Sequence, residues 1–212
     1  MRKISFAIIT FFVLVSFRPG KPYYCACCAE EGDYYTYSVK VDKEKLNLFA
    51  EMKMNKGTDI YMTEAEENWF KGMKGIEKGY NDWASTDTVE GNKYFSVNSS
   101  VNAKNWKFSF TTRDGKTGTL NLLMPLKVES FGADIHDTDR SSMIVLYKEY
   151  RFKGAVQSGT GFFSAGLTKP ASYTLILQGR GNYCENATDY KNWRLQVKGA
   201  AADFVLMGTF SE

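Results

Sequence analysis

The chain has 212 residues, with 27 Lys and Arg against 24 Asp and Glu and a single His. Its formal charge of +3 sits at the start: Arg2, Lys3, Arg18 and Lys21 stand there without an acid, and without them 23 bases face 24 acids, a net of −1. A nearly neutral body has no overall basic field, which argues against nucleic acid or an anionic membrane as partner.

Met1-Arg2-Lys3 is followed by an apolar run from Ile4 to Phe17. A basic start before an apolar run of this length reads as a secretory signal peptide. The run is shorter than the roughly 20 residues that span a bilayer, and no later stretch is apolar enough to form a transmembrane segment. We therefore expect a signal peptide over residues 1–22, a single β-rich domain over 23–212, and a secreted or periplasmic location. Ser16, Gly20, Ala26 and Ala29 are the small residues near the run, and none completes a clean A-x-A, so the cleavage point stays open. Cys27 follows Ala26 as a lipid-bearing cysteine would, but Tyr24 and Cys25 before it do not suit that signal.

Cys25-Ala26-Cys27-Cys28 carries three of the four cysteines, and Cys184 is the fourth. Paired cysteines of an exported chain usually form disulfides. A bridge between Cys27 and Cys28 would distort their shared peptide. The favoured pairing runs from the cluster to Cys184 and closes a loop of more than about 150 residues, for which chain entropy alone gives roughly 4–5 kcal/mol. The rival reading is a soft-metal site, copper or zinc, on the thiolates of Cys25, Cys27 and Cys28. The paired spacing of a zinc knuckle is absent. A redox role for the C-x-x-C from Cys25 to Cys28 lacks its usual βαβ context.

From Tyr34 onward the dominant pattern is strict apolar–polar alternation, the period of a half-buried strand. Tyr34–Val41 places Tyr35, Tyr37, Val39 and Val41 on one face. Leu46–Met54 places Leu46, Leu48, Ala50, Met52 and Met54 together, and Asp42-Lys43-Glu44-Lys45 would join the two runs as a hairpin. Thr63-Glu64-Ala65-Glu66 resembles a helix capping box. Ala65, Trp69, Met73 and Ile76 then recur at helical spacing, although Gly72 and Gly75 each weaken a helix by roughly 1 kcal/mol. Gly79 to Gly91 reads as a loop.

Alternation returns in Tyr94–Val101 and in Trp106–Thr111, where Trp106, Phe108 and Phe110 share a face. Asp114-Gly115 suits a hairpin turn, and Thr119–Met124 follows it. Met143–Lys153 is apolar on both faces at its start, as a central strand would be. Tyr173–Gln178, Trp193–Lys198 and Phe204–Phe210 complete the series. Asn182 and Glu185 form a capping pair for a helical turn from Tyr183 to about Tyr190. About nine strands with short links leave little room for parallel crossovers. The expected fold class is all-β, mainly antiparallel: a barrel or closed sandwich of about nine strands with one or two short helices. A bridge to Cys184 would bring the first strand beside the last hairpin, so that the two ends of the sheet meet.

Other constellations carry less. Asp134, His136, Asp137 and Asp139 gather three carboxylates and an imidazole in six residues, enough to hold a divalent cation. The EF-hand template fails at Ser142, where a Gly belongs, and at Lys148, where a Glu belongs, so a solvated loop is the plainer reading. No catalytic residue stands out: there is no G-x-S-x-G elbow, and Gly159-Thr160-Gly161 and Gly179-Arg180-Gly181 lack the rest of a phosphate or dinucleotide motif. They read as turns or bulges. Asn98 and Asn186 begin glycosylation sequons. The sequence thus points to an exported, non-enzymatic binding or structural module without a cofactor, unless the metal reading holds. Its partner would be a small apolar ligand inside the barrel or a carbohydrate stacked on exposed Tyr or Trp.

Overall fold

The computed structural model describes residues 34–54, 56–59, 94–112, 115–134 and 146–211. The expected signal peptide, Cys25, Cys27, Cys28, the capping-box helix from Thr63, the loop from Gly79, and His136, Asp137 and Asp139 lie outside them. In chain order the described elements are β1 (Tyr34–Lys40), α1 (Lys43–Glu51), β2 (Lys56–Asp59), β3 (Tyr94–Val101), β4 (Asn105–Thr112), β5 (Thr117–Leu123), β6 (Lys127–Asp134), β7 (Leu146–Gly161), β8 (Ala171–Arg180), a 3-10 turn (Ala187–Asp189), β9 (Tyr190–Gly199) and β10 (Asp203–Thr209).

Every strand pair is antiparallel. The main path runs β10-β9-β8-β7-β5-β4-β3-β2, and β6 with β1 branches from β7. The length of β7 creates that branch. Its first half pairs with β6 along one edge, from Leu146 to Arg151, and its second half pairs with β5, from Val156 to Gly161. Gly161 ends the strand with φ +61°, and a Cβ there would lie 1.8 Å from the Thr117 carbonyl oxygen. The path curls until its ends touch. Met54, just before β2, forms an antiparallel bridge with Phe210, just after β10. The Ser211 amide donates to the Lys53 carbonyl at 2.7 Å. The architecture is a curled antiparallel sheet, consistent with the all-β barrel or closed sandwich that the alternation implies.

The inner face is apolar. Trp106, Phe108 and Phe110 of β4, Leu120 and Leu122 of β5, and Trp193, Leu195 and Val197 of β9 are all buried in one cluster, on the faces that alternation assigns them. The start of β7 is buried on both faces from Leu146 to Tyr150, as expected for a central strand.

Three expectations need correction. The Leu46–Met54 run is not a strand: Lys43–Glu51 is helical, capped by the Asp42 carboxylate, which accepts from the Lys45 amide at 3.0 Å. Its buried residues, Lys45, Leu48 and Phe49, fall at i, i+3 and i+4, the helical period. That face seats Phe49 edge-on to Phe152 at 4.9 Å and to Tyr150 at 5.2 Å, so α1 plugs the barrel where a hairpin was expected. The helical turn expected from Tyr183 shrinks to the 3-10 turn Ala187–Asp189, and its cap is Asn186, whose side chain accepts from the Thr188 amide. Asp134 does not lie in a solvated loop. It ends β6 opposite Leu146, fully buried.

The two glycine runs lie at strand ends. Gly159-Thr160-Gly161 closes β7, next to a register shift against β5. Gly179 sits at a register shift between β8 and β9. Among the described residues no helix is long and apolar enough to cross a membrane, which says nothing of strands.

Candidate functional site

Side chains alternate along β7, so its polar residues divide between two faces. Lys148 points inward with Tyr150 and Phe152. Tyr147, Glu149 and Arg151 point outward. Each set builds its own network.

On the inner side the Lys148 ammonium meets Asp189 Oδ2 at 2.6 Å and the Tyr183 carbonyl oxygen. Both side chains are buried. Burial lowers the Lys148 pKa, and the Asp189 carboxylate opposes that loss of charge. Gly181 makes the approach possible: a Cβ there would lie 2.0 Å from Asp189 Cγ. Tyr190 stacks on Tyr150 with ring centroids 5.4 Å apart. Burial raises the Tyr190 pKa well above its usual value, and Tyr150 adds to the rise. Nearby, Lys45 of α1 reaches Glu185 in the loop after β8. Burial lowers the Lys45 pKa as well.

On the outer side Glu149 is fully buried and accepts from Tyr147 Oη, from Arg151 Nε and from Gln178 Nε2 at 3.1 Å. Arg151 also donates to Glu129 at 2.9 Å, and its guanidinium lies 4.5 Å above the Phe131 ring. Burial disfavours the Arg151 charge, but Glu149 and Glu129 outweigh it and raise the pKa. Buried networks of this kind, with every member bonded, fix a structure.

Beside the outer network a groove of about 300 Å³ runs over β1, β6 and β7, walled by Thr36, Ser38, Lys127, Glu129, Arg151 and Lys153. Register places Ser38 opposite Glu129, and Glu129 opposite Arg151, so these share the outer face. No ion pair among the described residues engages Lys127 or Lys153. The groove is therefore where described polar groups remain open to a ligand.

No protein family, curated protein or solved structure matches this chain.

Of the cysteines expected to matter, Cys184 is described. It lies in the loop between β8 and the 3-10 turn and is exposed. It lines a water-sized cavity of about 10 Å³ together with Tyr37 of β1, Gly132 of β6 and Tyr190 of β9. Asp134 is the one described member of the acidic cluster. Among the described residues no group of three His, Cys, Asp or Glu is arranged to hold a metal ion. The networks of Lys148 and of Glu149 were not anticipated. Nothing in the sequence singles out Lys148-Glu149 except the apolar character of the strand on both sides of it.

Proposed function

We propose that the chain is an exported, non-enzymatic binding or structural module, its barrel stapled by a disulfide from Cys25, Cys27 or Cys28 to Cys184. The observation that carries this reading is the place of Cys184. It borders the same small cavity as Tyr37 on the first strand. The cluster precedes Tyr37 by about nine residues, which extended chain converts to a reach of roughly 30 Å. A bridge of this kind ties the β1–β6 branch to the loop that carries Asp189.

The networks support a non-catalytic role. General acid–base work needs a group that can exchange a proton with a substrate. Lys148, Glu149 and Asp189 are instead buried and bonded to protein partners. The barrel interior is packed with touching rings, such as Phe108 with Trp193 at 6.2 Å and Phe110 with Phe163 at 5.3 Å. That filling favours an external ligand over an apolar one held inside. A thiolate metal site on Cys25, Cys27 and Cys28 is the alternative.

Melting of Cys184→Ser against the parent, with and without reductant, tests the staple. We expect a lower Tm for the variant under oxidising conditions and little difference in reductant. Equal Tm values under oxidising conditions would remove the staple. Stoichiometric copper or zinc in protein purified reduced would favour the alternative.

A further inference from the structure

We propose that the groove over β1, β6 and β7 binds an anionic saccharide, with the sugar's carboxylate or sulfate on Lys127 and Lys153 and its hydroxyls on Thr36, Ser38 and Glu129. The proposal rests on the reading of this chain as a binding module and gives that module a site and a ligand class.

The first observation is a row of like charges. Lys40 of β1 is the register partner of Lys127 on β6. Glu129 of β6 is the partner of Arg151 on β7. Lys127 and Lys153 follow two residues further along their strands, on the same face, and both line the groove. Three lysines thus stand across three neighbouring strands. Like charges directly opposite one another destabilise a sheet. The row contains no acid to relieve them: Lys153 faces Thr174 on β8, and Thr174 faces Gln196 on β9. All three lysines are exposed, and no ion pair among the described residues engages any of them. Counting Arg151 with the lysines against Glu129 and Glu149, the patch carries a net of +2 on a body otherwise close to neutral. A bound anion would relieve that repulsion.

The second observation is the groove itself. Lys127, Arg151 and Lys153 line it, so the charge borders a concavity of about 300 Å³. That volume is at the lower end of small-molecule sites and suits one or two sugar rings.

The third observation selects the kind of anion. Thr36 and Ser38 bring hydroxyls to the wall, each a donor and an acceptor. Glu129 is partly exposed, and its Oε1 accepts from Arg151. No bond from a described residue reaches Oε2. A carboxylate acceptor beside two ammonium groups repels an ion that can only accept, such as sulfate. A sugar acid suits the wall better, because its hydroxyls donate to Glu129 while its charged group meets the lysines. A neutral sugar would leave the lysines unanswered.

Titration calorimetry on the full chain, in its oxidised form and at low salt, tests this. The probes are trigalacturonate, a sulfated heparin disaccharide, maltotriose, sodium sulfate and hexaglutamate. We expect binding of trigalacturonate, of the heparin disaccharide or of both, and the tighter of the two identifies the charged group as carboxylate or sulfate. Removing one charge-assisted hydrogen bond should weaken binding about tenfold, so Lys127→Gln and Lys153→Gln should each do so. Lys104→Gln, at an exposed turn between β3 and β4, should leave binding unchanged. Circular dichroism of each variant confirms that an affinity loss is not a folding loss. Four results would overturn the proposal: no heat from either anionic saccharide, maltotriose binding as tightly as they do, sodium sulfate matching them, or hexaglutamate exceeding them. Mapping the disulfide in the same preparation tests the staple separately, so failure of one reading leaves the other intact.

Discussion

Met54 and Phe210 pair as an antiparallel bridge between the start and the end of the main strand path. Both are buried in the inner cluster. The contact joins residues more than 150 positions apart in sequence, so its loop-closure cost must be met by packing already formed elsewhere. Phe210→Ala removes a buried ring at the seam and should destabilise the protein by about 3–5 kcal/mol. Urea unfolding checks this. A loss below about 1 kcal/mol would mean that the seam lies outside the cooperative unit.

The pair Lys148 and Asp189 gives a second expectation. Removing one partner of a buried ion pair strands the other charge and costs about 3–5 kcal/mol. Lys148→Met should lose stability in that range. Adding Asp189→Val should recover part of it, because no charge is then left buried. Chemical denaturation of the two single variants and the double variant gives the coupling. Additive losses would show that the two groups do not act as a pair.

Much of the barrel was readable from its alternation. Trp106-Phe108-Phe110 and Trp193-Leu195-Val197 bury the faces that their period-2 pattern assigns. β6 was not readable. Its inward residues are Val128, Ser130, Gly132 and Asp134, which make no apolar stripe, while its outward Phe131 and Ala133 are buried. Both faces being covered erased the contrast that alternation needs. In α1 two periods coexist: Leu46, Leu48, Ala50 and Met52 alternate, whereas Lys45, Leu48, Phe49 and Met52 follow a helix. The Asp42 cap tips the balance toward the helix, and a buried Lys45 was the residue least suggestive of it. The networks of the site join residues far apart in sequence, such as Lys148 with Asp189 and Arg151 with Glu129. No local pattern announces such pairs. The groove likewise depends on the register of β1, β6 and β7, which comes from pairing and not from any one segment.

Alkaline pH should weaken the fold through its buried tyrosines. Burial raises the pKa of Tyr173, whose hydroxyl donates to the Leu123 carbonyl at 2.6 Å. Burial and then Tyr150 raise that of Tyr190. An unfolded tyrosine loses its proton near pH 10. Above that pH the unfolded state binds fewer protons than the folded one, so stability falls as pH rises toward the folded values. Lys148 works the other way. Its lowered pKa means that the unfolded state holds more protons just below 10.5, so its contribution rises with pH there. Urea midpoints should therefore decline once pH exceeds about 10, and less steeply in Tyr173→Phe. A midpoint that keeps rising through that range would contradict the tyrosine assignment.

The proposed staple between the N-terminal cluster and Cys184 is tested most directly by peptide mapping of the protein, alkylated and digested without reduction. One cross-linked species is expected, which joins the peptide bearing Cys25, Cys27 and Cys28 to the peptide bearing Cys184 and separates on reduction. Cys184 recovered as a freely alkylated thiol, with the cluster cysteines also alkylated or holding a metal ion, would contradict it.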